Sequence, residues 1–335
     1  MKRLFYLIIF IFLVAIYSVF VYSVGDDLDV HDAVKYYIKW VQKIYEIEFS
    51  KLLLWDLYIT NIKFLFSPSP GSSWIVYLIS LIFPYQQYVF DFINILTIGS
   101  MVMLIYNSKF KRYKLVLIFY FIAFSFYFYV LFHMTHRFKI AVLFYTFYLN
   151  ATILNKNKYA KIFLTIALLS HLTMLLCIPF HYVCARYEKN RNLFFSQLKF
   201  VFIFYFISSI LIFYSRVSHD TEFASTIWQN KFSNIEYIFP VLIIFLSLFI
   251  IFRKKLNFIY QKFDLMIQIL IITGLFIFVD SSRSFMVVFI LVMLNLISFD
   301  SKEFKLTPYL LVPFILWDLF RALYQGSIYL LFDSL

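Results

Sequence analysis

The sequence is poor in glycine and cysteine, and each shortage argues against a class of site. It has five glycines in 335 residues and contains no GxxxxGK[ST], GxGxxG or HExxH motif, so we expect no glycine-rich nucleotide cradle and no zinc-protease site. Its two cysteines, Cys177 and Cys184, would lie about 10 Å apart along a helix, which is too far for a disulfide. We therefore expect no cofactor, no bound metal and no disulfide framework.

Charge is also scarce, and apolar runs take its place. Charged residues make up 14% of the chain, hydrophobic residues 63% and aromatic residues 23%, whereas a soluble domain carries about 25% charged residues. Several runs reach the length of about 18 apolar residues that is typical of a membrane span. The composition predicts an all-α, polytopic transmembrane helix bundle of about 9–11 membrane segments, one or two of them re-entrant or short broken helices. We expect residues 1–335 to form a single integral membrane domain.

The first apolar run predicts the orientation of the chain. Met1, Lys2 and Arg3 precede the run Leu4–Tyr22, which is longer than the apolar part of a signal peptide and lacks a small-residue cleavage site. We interpret it as an uncleaved span with a cytoplasmic N-terminus. The net charge of +12 follows from basic residues in short cytoplasmic loops. It does not indicate nucleic-acid binding, because the aromatic residues lie inside the spans and not beside the charges.

Basic clusters predict the remaining topology. With Lys2 and Arg3, the clusters at 109–114, 156–161, 186–191, 253–255 and 302–305 are all assigned to the cytoplasmic face. Three pairs of spans then turn on the outer face: 115–132 with 138–154, 196–214 with 235–252, and 263–279 with 285–299. Two further outer loops are predicted, one at 23–71 after the first span and one at 215–234.

Because all the basic clusters are assigned to one face, an even number of membrane crossings must separate consecutive clusters. Two apolar segments do not fit this requirement. They are a short piece at 73–83, between "SPSPGSS" and Pro84, and the stretch 162–184, which has basic residues at both ends. We expect both to dip into the membrane and return, while a full span near 86–106 follows the first. Irregular backbone at membrane depth needs a covered or water-filled cavity, so broken helices tend to line binding sites. A single tilted span over 162–184 is the alternative.

This topology collects ionisable side chains on the outer face. These side chains come from the first loop, the turn "HMTHR", the apolar segment 162–184 and the turn "VDSSRS". They are Asp26, Asp27, His133, His136, Arg137, His171, Asp280 and Arg283.

Each of these groups also has a simpler interpretation. Arg137 is equally explained by snorkelling from a helix end, His171 by a buried hydrogen-bonded histidine, and the acidic loop by a solvated patch. His133 and His136 have the spacing to share a metal but lack an evident third ligand.

The types of residue in this set suit sugar transfer from a lipid diphosphate. The fixed forks of Arg137 and Arg283 match phosphate oxygens and need no metal. His171, or with second preference Asp26 or Asp27, would act as the base on an incoming hydroxyl. The leaving diphosphate supplies the free energy, so no ATP motif is required. His133, His136 and Asp280 would contact the glycan.

Several stretches resemble short sequence elements of one protein family. They occur in the same order as in that family and extend over most of the chain. "SVGDDLDVHDAVKYY" resembles the VGxDYxxY element of EpsG-like proteins, the Wzy-type bacterial polysaccharide polymerases, and "SPSPGSSWIVYLISLIF" resembles their EPGYxLLxxL segment. "HMTHRFKIAVLFYTFYL" is similar to xxRQxLAxxLxL, "LLSHLTMLLCIPFHYV" to LFHxSALxxLPLYFL, and "DSSRSFMVVFILV" to a late arginine-bearing turn. The family's first-loop tyrosine is missing, and Ser69 and Phe138 replace its glutamate and glutamine. Arg137, His171 and Arg283 therefore carry over better than the acidic positions.

The resemblance implies a metal-independent glycosyltransferase of the bacterial inner membrane. It would polymerise undecaprenyl-diphosphate-linked oligosaccharide repeat units into O-antigen, capsule or exopolysaccharide at the outer face. Its partners would be the lipid-linked donor and acceptor, the bilayer, and chain-length regulator and flippase proteins of the same pathway. A lipid-linked oligosaccharide flippase, a polysaccharide ligase and another membrane transferase are the alternatives. A flippase should carry charges at its midplane and paired halves, whereas a ligase would use the same arginine–histidine chemistry.

Overall fold

The structure is a computed structural model that describes part of the chain. The described residues are 2–24, 39–47, 53–65, 70–83, 85–108, 111–125 and 136–171, with the single residues Leu131, Met174, Ile290 and Leu294. They form helices and turns without a strand among them, which confirms the all-α class for these ranges. The chain divides into two compact units, and every helix named below belongs to the first, which includes Met1–Leu172. The single membrane domain stays a prediction, because most of the second unit lies outside the described residues.

Eight helices are present in the described ranges. They are α1 (Lys2–Val24), α2 (39–45), α3 (Leu53–Leu65), α4 (Gly71–Ser80), α5 (Gln86–Asn107), α6 (Lys111–Phe124), α7 (His136–Ile153) and α8 (Asn157–Ser170). Helices α1, α4, α5 and α7 coincide with the predicted apolar segments near 4–22, 73–83, 86–106 and 138–154. Helix α6 is shorter than the predicted segment at 115–132, because it ends at Phe124 and Ser125 is not helical.

One full-length apolar helix and two shorter ones are present in the described ranges. Among the described residues, Tyr88–Asn107 is long and apolar enough to cross a bilayer, and Arg3–Ile16 and Gly71–Ser80 are shorter apolar helices. A core helix of a soluble protein passes the same test. The polytopic bundle therefore stays a prediction, as do the later pairs of spans, which lie outside the described residues apart from Ile290 and Leu294.

Helices α1 and α5 run antiparallel, as the predicted topology requires. The rings of Tyr6 and Tyr106 lie 5.2 Å apart, edge to face, where α1 begins and α5 ends. Further along, a Cβ on Gly99 would lie 3.3 Å from the Phe10 ring. The absence of a side chain at Gly99 thus lets the two helices approach closely.

A tight turn joins α7 to α8 and reverses the chain. Asn155 has a positive φ of 57°, a conformation that asparagine tolerates better than most residues. The Lys156 N–H donates to the Ala151 carbonyl at 2.8 Å, and the Asn155 N–H donates to the Thr152 carbonyl at 3.0 Å. These two bonds form a Schellman motif, which satisfies the last carbonyls of α7. Helix α8 then packs antiparallel along α7.

The predicted outer loop at 23–71 contains two helices that the sequence analysis did not predict, α2 and α3. Trp40 of α2 is completely buried and donates its indole N–H to the Ser73 hydroxyl of α4 at 3.2 Å. The Tyr45 hydroxyl donates to the Phe83 carbonyl at 2.6 Å, after the end of α4. Burial raises the pKa of Tyr45 above the ordinary phenol value. Helix α2 is therefore fixed against α4 by a buried ring and two hydrogen bonds.

Candidate functional site

Two of the predicted site residues, Arg137 and His171, have described side chains. His136 is the first residue of α7, but its side chain is not described. The other predicted positions lie outside the described residues: Asp26, Asp27, His133, Asp280 and Arg283. The loop at 215–234 also lies outside them. The site can therefore be described at the start of α7 and the end of α8.

The first turn of α7 carries Arg137 into a sheltered position. The residue is partly exposed, and its Nε and Nη1 atoms are shielded from solvent. The next residue, Phe138, is buried. A guanidinium at such a boundary keeps its charge at any physiological pH and can present its remaining N–H groups to an anion. Arg137 is therefore a cation at a partly exposed position, and its role in binding a diphosphate stays a prediction.

His171 lies at the end of α8, where the backbone leaves the helix. Its φ and ψ are −155° and 124°, and its N–H still donates to the Ala167 carbonyl at 3.1 Å. Its ring meets the Phe138 ring edge to face, with centroids 5.4 Å apart. This contact joins the first turn of α7, which also contains Arg137, to the end of α8.

The end of α8 differs from the expected position of the break. The sequence placed His171 near the middle of the apolar stretch 162–184 and assigned the break to Pro179, whereas the helix ends at Ser170. A Cβ on Gly71 would lie 2.7 Å from the Leu169 carbonyl carbon and 2.9 Å from the Ser170 nitrogen. The start of α4 therefore packs directly against the last turn of α8, and only glycine fits there.

The meeting of α4 and α8 joins two helices that are short for a bilayer. With 10 and 14 residues, they are about 15 and 21 Å long, whereas the hydrocarbon core is about 30 Å thick. The positive end of the α4 dipole faces the negative end of α8, which is a favourable arrangement.

Two charged residues near this point were missed by the sequence analysis. Lys139, in the first turn of α7, is completely buried, and its Nζ lies 5.9 Å from the centroid of the Phe90 ring in α5. It interacts electrostatically with Asp91, which is partly exposed near the start of α5. Functional charges were expected in loops, and 86–106 and 138–154 were interpreted as apolar spans. An ionisable residue inside an apolar segment is itself a signal of function, and that signal was available.

The described part of the site contains no evident metal centre. Among the described residues, no group of three or more His, Cys, Asp or Glu side chains could hold a metal ion. The shared metal considered for His133 and His136 is not tested, because their side chains are not described. A guanidinium, an imidazole and a carboxylate–amine pair can bind an anion and move a proton without a metal.

The comparisons with known proteins leave the identity open. The chain matches no family model, no curated protein and no solved structure. The resemblance to polysaccharide polymerases therefore depends on the quoted sequence elements, and the function is argued from those elements and from the site.

Proposed function

We propose that this protein is a membrane glycosyltransferase that polymerises undecaprenyl-diphosphate-linked repeat units at the outer face of the bacterial inner membrane. The observation that carries the proposal is the contact between His171 and Phe138. It brings together the start of α7, with Arg137, and the end of α8. Arg137 and His171 are two of the three positions that the family resemblance supports best, and their chemistry suits a diphosphate and a proton transfer.

A membrane location is supported by the surface of α1. Six large apolar side chains on this helix are more than half exposed: Leu4, Phe5, Leu7, Ile8, Ile11 and Phe12. A contiguous exposed apolar surface is rare on soluble monomers and marks contact with a membrane or another protein. The hydroxyls of Thr97 and Thr146 donate to carbonyls of their own helices at 2.7 and 2.8 Å, as polar groups in lipid must be satisfied internally.

The orientation is supported by the distribution of basic residues over the two ends of the helices. The contact of Tyr6 with Tyr106 brings the start of α1 to the end of α5, and α6 begins shortly afterwards at Lys111. Helix α8 begins next to Lys156. Three of the basic clusters therefore flank one end of the helices, and Arg137 and His171 lie at the other. By the positive-inside rule, the basic end faces the cytoplasm.

In the proposed reaction, the non-reducing-end hydroxyl of one repeat unit attacks the growing chain. The acceptor oxygen forms a bond to the anomeric carbon of the reducing-end sugar. The bond from that carbon to the lipid diphosphate breaks, and its electron pair stays on the diphosphate. Arg137 and Arg283 bind and stabilise this leaving group, while His171 orients the acceptor or accepts its proton.

The remaining predicted residues have supporting roles in this proposal. Asp26 and Asp27 are second-choice bases or ligands of the acceptor sugar. His133, His136 and Asp280 contact the glycan, and the loop at 215–234 closes over it or selects it.

The position of the buried charges argues against a flippase. A flippase should carry charges through the middle of its helix bundle. Lys114 and Lys139 are the two charged side chains that are completely buried among the described residues. Each lies in the first turn of its helix and not at the midpoint. This arrangement suits a site at the membrane boundary better than a path across it.

Complementation of a deletion strain tests the proposal, with the surface polysaccharide resolved by size on a gel. The variants Arg137→Ala, His171→Ala and Arg283→Ala are compared with wild type at matched membrane levels. Lys158→Ala, at an exposed position at the start of α8, is the control. We expect the deletion to leave single repeat units, wild type and the control to restore a ladder, and the three variants to fail.

Two other results would redirect the interpretation. If the deletion removes even single units from the surface, flipping or ligation explains the phenotype and polymerisation does not. If all three variants restore the ladder, the arginine and histidine positions are structural and the proposed site is wrong.

A further inference from the structure

We propose that Asp91 is a further catalytic residue of this site, a carboxylate that binds the acceptor hydroxyl and takes its proton, with Lys139 as the residue that positions it. This inference rests on the proposed function. It assigns the acidic group that the sequence elements left open, because the family's acidic positions do not match this chain.

The geometry brings these two residues to the end of the helices that carries Arg137. Helices α5 and α7 run parallel: the Lys139 Nζ lies 5.9 Å from the Phe90 ring near their starts, and Asn107 donates to Asn150 near their ends. Asp91 directly follows Phe90, and Lys139 lies in the same helical turn as Arg137. Asp91 interacts electrostatically with Lys139, so it lies near the first turn of α7.

The burial of Lys139 requires an explanation beyond packing. The residue is completely buried, and so are the apolar residues Ile140, Ala141 and Val142 that follow it. Removing an ammonium group from water is costly, and a well-packed apolar residue is often neutral or better for stability at such a place. Ionisable residues within apolar segments are rare and are retained mainly for function. Stability alone therefore does not account for a lysine at this position.

Asp91 is the member of the pair that a substrate can reach. It is partly exposed, whereas Lys139 is completely buried. The other described acidic residues are Glu46, which pairs with Lys43 on an exposed surface, and Asp56 in the first turn of α3. Asp91 is therefore the described carboxylate that lies near the start of α7.

The chemistry balances without an additional reactant. The acceptor hydroxyl hydrogen-bonds to the Asp91 carboxylate, its oxygen bonds to the anomeric carbon, and the diphosphate leaves with the electron pair of the broken bond. The hydroxyl proton passes to Asp91 and is later lost to water. His171, beside Phe138, then orients the acceptor, and Arg137 holds the diphosphate.

Replacing both Asp91 and Lys139 with neutral side chains distinguishes a catalytic role for Asp91 from a structural ion pair. The variants are Asp91→Asn, Lys139→Met, the double variant Asp91→Asn/Lys139→Met and the conservative Asp91→Glu. Each is expressed in the deletion strain, its membrane level and thermal midpoint in detergent are measured, and polymer is quantified per unit of protein. The double variant leaves no unpaired charge, so we expect it to accumulate and unfold like wild type. We expect its polymer to fall at least about 100-fold, the usual contribution of general base catalysis, and Asp91→Glu to retain a partial ladder.

Two results would overturn the inference while the proposed function stands, and a third would overturn the proposed function itself. If wild type restores the ladder and the double variant does so equally well, the pair is structural. If neither Asp91→Asn nor the double variant accumulates, the pair is needed for folding and a role in the reaction is not required. If wild type itself does not restore a ladder, the proposed function is wrong, and the inference falls with it.

Discussion

The two ends of the contact between α5 and α7 have different chemistry. At the ends of the helices, the Asn107 side-chain amide donates to the side-chain Oδ1 of Asn150 at 2.9 Å. The Asn150 amide in turn donates to the Ser100 and Thr146 carbonyls at 3.1 and 3.0 Å. At the starts of the same helices, the contact is made by a buried lysine, an aromatic ring and an aspartate. The end of the contact that contains Asn107 and Asn150 is therefore neutral, and the Asn150 amide has hydrogen-bond acceptors there. The end that contains Lys139 and Asp91 carries ionisable groups.

The comparison separates a structural polar contact from a functional one. A neutral amide network costs little to bury when its donors and acceptors are paired, and it holds two helices in register. A completely buried lysine such as Lys139 can cost more in desolvation than its attraction to a carboxylate returns. Because Arg137 and His171 lie at the charged end, we infer that this end serves the reaction and the other end serves packing. The following variants test this division.

The largest effect is expected from Arg137→Lys at the charged end. The substitution keeps the positive charge but removes the planar fork that binds two phosphate oxygens at once. We expect polymer per unit of protein to fall at least about 10-fold, the equivalent of about 1.4 kcal/mol of lost charge-assisted hydrogen bonding, with an unchanged thermal midpoint. Quantified gel ladders at matched membrane levels measure this. Wild-type polymer from the lysine variant would show that charge alone is sufficient there.

A smaller effect on activity is expected from Gly71→Ala, where α4 meets α8. The new Cβ would meet the Leu169 backbone at 2.7 Å, so the helix ends must separate, at a cost of about 1–3 kcal/mol for overpacking. We expect a lower thermal midpoint and several-fold less polymer, because His171 moves with the end of α8.

Gly99→Ala is the matched control for that substitution. Its Cβ would meet the side chain of Phe10 at 3.3 Å, and a side chain can adjust by a few tenths of an ångström. Equal losses of polymer in the two variants would contradict a specific role for the α4–α8 junction.

The smallest effect on activity is expected from Asn150→Leu at the neutral end. The change removes three hydrogen bonds that each contribute about 0.6 kcal/mol in a membrane bundle, so we expect a destabilisation of about 2 kcal/mol. Polymer per unit of folded protein should be unchanged. Thermal unfolding in detergent measures the expected destabilisation, and the gel ladder measures the polymer per unit of folded protein. A lost ladder at a normal thermal midpoint would show that the neutral end also takes part in the reaction.

The positions of four helices could be predicted because their signals are local. Apolar runs bounded by Lys2 and Arg3, by Pro84 and by the basic cluster at 109–114 predicted α1, α4 and α5, and the run after Arg137 predicted α7. The opposite directions of α1 and α5 followed from assigning the basic clusters to one side, whereas their packing against each other was not predicted. Composition and charge therefore carry most of the information on where these helices lie and on their direction.

The ends of other helices could not be predicted because the signals are tertiary or weak. Helix α6 ends at Phe124 within "FIAFSFYFYVL", where no glycine or proline marks a stop. Helix α8 ends at Ser170 where Gly71, distant in the sequence, packs against its last turn. The pairing of Asp91 with Lys139 also depends on the packing of α5 against α7, which no local pattern reveals.

The most direct test of the account measures polymer and stability together for Arg137→Ala and Asn150→Leu. Both variants are expressed in the deletion strain, and each preparation gives a thermal midpoint in detergent and a quantified ladder per unit of membrane protein. The account predicts opposite results: Arg137→Ala keeps the wild-type midpoint and loses the ladder, whereas Asn150→Leu has a lower midpoint and keeps the ladder. If Arg137→Ala makes a normal ladder, the charged end is not the site of polymerisation and the central claim is wrong.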